Sequence, residues 1–145
     1  MASTPNLPTT PKISSVRVTA ANTSSQGGGT IGTDIFLAGT IGASGTFVDR
    51  VRFSPTATTP TSTTATVARV FYSTQSSGAT ANTNTFLLGE LTLPVVAADN
   101  ASASAPVFDL PINMSLPTGY YILVTHHAAP AANTAWVATM IGADY

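Results

Sequence analysis

Cysteine is absent from this 145-residue chain, which excludes disulfide staples and thiolate zinc sites and removes any clue to redox compartment. Charge is scarce as well. Asp, Glu, Lys and Arg together make up 8% of the residues, against about 25% in an average soluble domain. The formal net charge is −1, and the five basic residues, Lys12, Arg17, Arg50, Arg52 and Arg69, are scattered. Such a set cannot track a phosphate backbone, so no nucleic-acid partner is expected. No apolar run approaches the roughly 20 residues that span a bilayer, so no membrane partner is expected either. The segment from Met1 to Pro11 has neither a basic start nor an apolar stretch, and it does not read as a secretory signal. Helical periodicity is missing: no window of ten residues keeps an apolar repeat of 3.6.

What is present is apolar and small-polar. Hydrophobic residues make up 43% of the chain, which argues against disorder, a state that needs low hydrophobicity and high net charge. The polar surface must then come mainly from Thr, Ser and Asn, which favour strands and turns over helices. A chain of this length can bury one proper core.

Period-two patterning begins at Ile13 and predicts about eight strands. These are Ile13 to Val18, Ile31 to Ile41, Phe47 to Phe53, Thr64 to Ser73, Thr85 to Leu93, Val107 to Leu110, Tyr120 to Thr125 and Ala135 to Ile141. In the third, Phe47, Val51 and Phe53 share one parity, while Val48, Arg50 and Arg52 share the other. Gly27-Gly28-Gly29, the Thr/Pro stretch from Pro55 to Thr64, the loops from Gln75 to Asn82 and Ala97 to Ala105, and Leu116-Pro117-Thr118-Gly119 punctuate the series. Pro followed by Gly in the last of these suits a tight reversal. No repeat at a spacing of 20–50 residues is apparent. The pattern predicts an all-β, eight-stranded, jelly-roll-like β-sandwich over residues 13–145, with a seven-stranded immunoglobulin-like sandwich as the alternative.

Residues 1–12 form the remaining segment. Prolines at positions 5, 8 and 11 each fix φ near −65° and remove a donor, so an extended arm outside any hydrogen-bonded ladder is expected. It is either a frayed terminus or an arm laid along a partner. On the second reading Pro5, Leu7, Pro8 and Pro11 are the contact candidates.

Chemistry-bearing patterns are weak. His126 and His127 are adjacent, and in a regular strand they point to opposite faces, so they cannot chelate one metal together. Surface or strand-end histidines are the expectation. The six carboxylates, Asp34, Asp49, Glu90, Asp99, Asp109 and Asp144, show no pairing suited to glycoside hydrolysis. Asp49 beside Arg50 and Arg52 reads as a surface or intersubunit ion pair. Gly42-Ala43-Ser44-Gly45 lacks the strand–turn–helix setting of a nucleophile elbow. The glycine run at 27–29 is followed by no Lys-Ser/Thr, which leaves it a hairpin loop and not a phosphate cradle. Aromatics are spread over nearly every strand and read as core, with Tyr120, Tyr121 and Trp136 the candidates for an outward sugar-stacking subset. Neither catalytic activity, nor a cofactor, nor a metal is expected.

The stretches Ile31–Leu37, Thr64–Tyr72, Asn84–Leu91, Leu116–Thr125 and Ala135–Gly142 resemble small tailed-bacteriophage virion proteins, capsid decoration (cement) proteins above all. The resemblance extends over residues 13–145 through style and strand order and carries no diagnostic motif. It implies a jelly-roll-like domain, a homotrimer, made in the host cytoplasm, that sits on the outer capsid surface of the virion and clamps the major capsid protein. It transfers no catalytic residue. The alternative is a receptor- or carbohydrate-binding β-module of a tail fibre, spike or baseplate.

Overall fold

A computed structural model describes residues 7–98 and 105–145 of the chain. Eight strands follow one another: β1 (Thr10–Val18), β2 (Phe36–Thr40), β3 (Thr46–Ala57), β4 (Thr66–Ser73), β5 (Thr85–Leu93), β6 (Phe108–Leu116), β7 (Tyr121–His126) and β8 (Thr134–Asp144). They form two four-stranded sheets, β1-β8-β3-β6 (sheet I) and β2-β7-β4-β5 (sheet II), and every pairing is antiparallel. The chain is all-β and the sheets stack as a sandwich. Among the described residues no helix is long and apolar enough to cross a membrane.

Alternation along each strand places Val18, Val48, Val51, Phe53, Ala68, Val70, Ile122, Val124, Trp136, Ala138 and Met140 in one apolar core between the sheets. This is the period-two expectation with one correction. Parity groups Val48 with Arg50 and Arg52, yet it is buried beside Val51 and Phe53. The cause is a β-bulge: β3 shifts register between Val48 and Arg50 against both neighbours. The extra residue, Asp49, inverts the parity of everything before it. Phe47 therefore belongs to the outer face. Gly142 of β8 pairs with Val48 at this bulge, and a side chain there would be driven into the carbonyl oxygen of Phe47.

Strands β3 and β6 run past the prolines at which the pattern ends them. β3 continues through Pro55 to Ala57, where only β8 pairs with it, so the donor missing from Pro55 is not required on the other side. β6 continues through Pro111 to Leu116 as the edge of sheet I, another place where proline is tolerated.

The N-terminal boundary also moves. β1 starts at Thr10, with Pro11 opposite Ala143 and Lys12 opposite Gly142, so Pro11 and Lys12 belong to the sandwich and not to an unpaired arm. Two local bonds account for this. The Thr9 amide donates to the Asp144 carbonyl at 2.9 Å, and Lys12 Nζ lies 3.0 Å from Asp144 Oδ2. The Asp144 carboxylate also accepts from the Thr46 hydroxyl. That hydrogen bond first, with Lys12 adding to it, holds the Asp144 pKa below its ordinary value. Pro11 stays compatible with pairing because β1 is an edge strand. Pro5 lies outside the described residues.

Sheet II is buried on both faces over most of β2, β7 and β4, while β5 stays partly exposed. The chain from β1 to β2 (residues 19–35) and the chain from β4 to β5 (residues 74–84) fold over its outer side and cover a second apolar cluster of Ile35, Phe71, Ala79 and Leu123. This explains the run of buried residues Ala68-Arg69-Val70-Phe71 in β4, and it shortens β2. Ile31 to Ile35, expected as strand, is instead a turn. The turn occurs twice. Asp34 Oδ1 accepts from the Thr30 amide at 2.7 Å, and Asn84 Oδ1 accepts from the Thr80 amide at 2.7 Å. The Thr30 carbonyl takes the Thr33 and Asp34 amides, and the Thr80 carbonyl takes the Thr83 and Asn84 amides. Gly32 and Asn82 both hold positive φ, 90° and 56°. The two copies of Thr-x-Gly/Asn-Thr-Asp/Asn-x-Phe-Leu stand fifty positions apart in the chain, which corrects the expectation of no internal repeat. They meet face to face, with Gly29 and Ala79 exchanging two backbone hydrogen bonds of 3.0 Å.

Candidate functional site

Among the described residues, the outer face of sheet I has no such cover. Cross-strand register fixes its rows. Pro11, Ala143, Phe47 and Ser115 form one row, Ile13, Ile141, Arg50 and Pro111 the next, then Ser15, Thr139, Arg52 and Asp109, and finally Arg17, Val137 and Ser54. The first two rows are largely apolar, and Ile13 is 71% exposed. The third row is polar: the Ser15 and Thr139 hydroxyls are bonded at 2.9 Å, and it ends in an ion-pair cluster.

Arg52 grips Asp109 with two parallel bonds, Nε to Oδ1 at 2.8 Å and Nη2 to Oδ2 at 2.9 Å. Arg50 bridges from Asp49 Oδ2 at 2.7 Å to Asp109 Oδ2 at 3.3 Å. The Arg52 hydrogen bonds hold the Asp109 carboxyl below the ordinary carboxylate range, with Arg50 helping. Asp49 and then Asp109 raise Arg50, and Asp109 raises Arg52. These charges satisfy one another inside the chain. Asp109 completes the set, and sequence spacing gave no sign of it because β6 meets β3 only through the fold. Arg17 extends the face with an exposed cation.

The aromatic candidates do not assemble. Trp136 is 1% exposed, packed edge-on to Phe108 with ring centroids 5.8 Å apart, so the reading of its indole as a sugar platform is corrected. Inward parity on β8 explains its burial. Tyr120 leans on Tyr72 at 5.8 Å, which in turn stacks on Phe86 at 5.2 Å, closing one end of the main core. Tyr121 packs under the loops of sheet II with the second cluster. The two tyrosines therefore serve opposite faces of β7.

The histidines part as alternation requires. His127 is exposed, but His126 is fully buried in the core between the sheets, which corrects the expectation of a surface pair. Among the described residues no three His, Cys, Asp or Glu side chains come together as a metal site. Of the arm candidates, Leu7 is 67% exposed, Pro8 is half-buried, and Pro11 is exposed within β1. They lead directly into the first apolar row. Comparison with protein-family models, curated proteins and solved structures finds no match to this chain in any of the three.

Proposed function

We propose that this chain is a non-enzymatic virion structural protein of the jelly-roll type that decorates the outer surface of an assembled capsid and stabilises it. The strand orders β1-β8-β3-β6 and β2-β7-β4-β5 support the jelly-roll reading, which calls for eight antiparallel strands shared between two sheets. The inequality of the two outer faces carries the functional reading. Sheet II is capped by its own loops, whereas sheet I presents two apolar rows beside a self-neutralised ion cluster. An uncapped apolar patch with a polar margin is the surface expected of a docking face. Its partner is the major capsid protein, and a homotrimer multiplies the contacts through avidity. A protein that binds only the assembled shell shifts the assembly equilibrium toward it.

Undecorated capsids mixed with the purified chain are expected to take it up saturably in a sedimentation assay. Ile13→Glu combined with Ile141→Glu abolishes uptake with little change in the melting temperature, because both side chains lie on the open face. Absence of saturable binding by the unmodified protein rejects the proposal. Light scattering checks for a trimer of the 14.7 kDa chain.

A second expectation concerns the N-terminus. Removal of residues 1–8 leaves the melting temperature unchanged and weakens shell binding, since pairing to β8 begins at Thr9. Removal of residues 1–12 also lowers thermal stability, because it takes away the Lys12–Asp144 ion pair and the first three rungs of β1. Equal melting temperatures for the two truncations would show that this part of β1 is dispensable.

A further inference from the structure

His126 is the last residue of β7, and its side chain points between the sheets. It is fully buried, and neither Nδ1 nor Nε2 has a hydrogen-bond partner among the described residues. Its surroundings are largely apolar. The Phe53 ring lies 6.1 Å away at 45°, Ala68 is its register partner on β4, and Val18 and Trp136 lie at the same end of the core. An imidazole so placed is held neutral, because no group compensates the loss of water around its charged form.

The backbone of the same residue is a fastening point. The His126 carbonyl accepts the Asn22 amide at 2.7 Å, and Ala21 bridges to the same residue. Just beyond, the His127 amide donates to the Val67 carbonyl at 2.9 Å. Residues 19–35, which cap the outer face of sheet II, are thus tied at their start to the residue whose side chain cannot be charged in place.

We propose that His126 is an acid-operated latch: protonation of its imidazole from solvent expels the side chain from the core, breaks the Asn22–His126 bond and, by parting the Gly29–Ala79 pair as well, lifts the 19–35 loop off Phe71 and Leu123. The direction follows from linkage. Burial lowers the His126 pKa from 6.5 to about 4, so the opened form takes up the proton first. The preference for the closed form is complete above pH 6.5, shrinks as pH falls from 6.5 to about 4, and is then fully reduced. The shift corresponds to a rise of about 300-fold in the open-to-closed ratio across that window.

Neighbouring titratable and charged groups do not offset this. The inward residues of β1, β3, β4, β6 and β8 near His126 are uncharged, apolar apart from the hydroxyls of Thr66 and Thr134. Arg69 and Glu90 pair with each other at 2.5 Å on the outer side of sheet II. Arg17, Arg52 and Asp109 lie on the outer face of sheet I, and His127 faces solvent. Burial alone accounts for the lowered value. Asp34 is the one carboxylate within the loop, and it holds the Thr30 amide.

The test follows the whole chain from pH 7.5 to 4 by hydrogen exchange corrected for intrinsic rates, binding of an apolar dye, and far-UV circular dichroism. Residues 19–35 are expected to lose protection and the dye to bind between pH 6.5 and 4, while the strand signal persists. The His126 imidazole resonance moves with the same midpoint in an NMR titration. His126→Phe abolishes the step, and His126→Gln does so if the first variant fails to fold. His127→Ala leaves the step in place, as does Asp34→Asn, because Asn84 makes the same bond in the sister turn without titrating. An unchanged step in the His126 variants, its loss in Asp34→Asn, or loop opening only together with loss of the strand signal would overturn the latch.

Discussion

Gly142→Val is expected to lower stability by at least about 3 kcal/mol, a loss that can exceed half of the 5–15 kcal/mol that holds an ordinary domain folded. The reason lies in the neighbour. At Gly142 the β3 bulge brings the Phe47 carbonyl against the β8 backbone, and a Cβ would meet that oxygen and then the Val48 Cα. Neither can retreat without unpairing β3 from β8. Gly39 provides the contrast. A Cβ there meets the Met140 thioether, which is flexible and can turn aside, so Gly39→Ala is expected to cost about 1 kcal/mol. Urea unfolding of the two variants measures both values. Equal midpoints would show that the close approach at the bulge does not govern β3–β8 pairing.

Trp136→Ala is expected to cost about 3–5 kcal/mol, the range for emptying a large aromatic site in a packed core. The indole is buried between Val18 and Pro55 as register partners and Phe108 at its edge. Trp136→Phe costs less, for two reasons. It keeps much of the volume, and it removes an indole N–H that has no partner among the described residues, a buried donor that itself weighs about 1–3 kcal/mol against the fold. The experiment separates a core role from a sugar-binding one. A stacking platform would lose glycan affinity and keep its melting temperature, whereas a core indole produces a large fall in the unfolding midpoint.

Strand positions are largely legible because one buried face per strand writes a period of two into the sequence; even β5, which carries a register shift opposite Val70 and Phe71, keeps the expected bounds Thr85–Leu93. Legibility failed where that rule was broken locally. The Asp49 bulge inverted the faces of β3, since an inserted residue leaves no compositional mark. Prolines 11, 55 and 111 were read as breaks, although an edge position or a one-sided pairing accommodates them. The twin turns leave little trace in the sequence because only scattered positions are shared, and the common element is a hydrogen-bond pattern that Asp34 and Asn84 satisfy alike. On the candidate face, Arg50 and Arg52 were visible as a charged pair, but Asp109, Ile13 and Ile141 join them only through pairing across distant strands. His126 could be placed opposite His127 by alternation, yet which of the two faces was dry depended on the second sheet.

The reciprocal pair of bonds between Gly29 and Ala79 gives the roof of sheet II the character of a clasp. Each half is fastened to the other at its middle, so neither can rise without stripping an amide and a carbonyl from its twin. Shelter of the apolar residues beneath is therefore a joint property of two stretches fifty positions apart in the chain, and whatever loosens one exposes what both conceal.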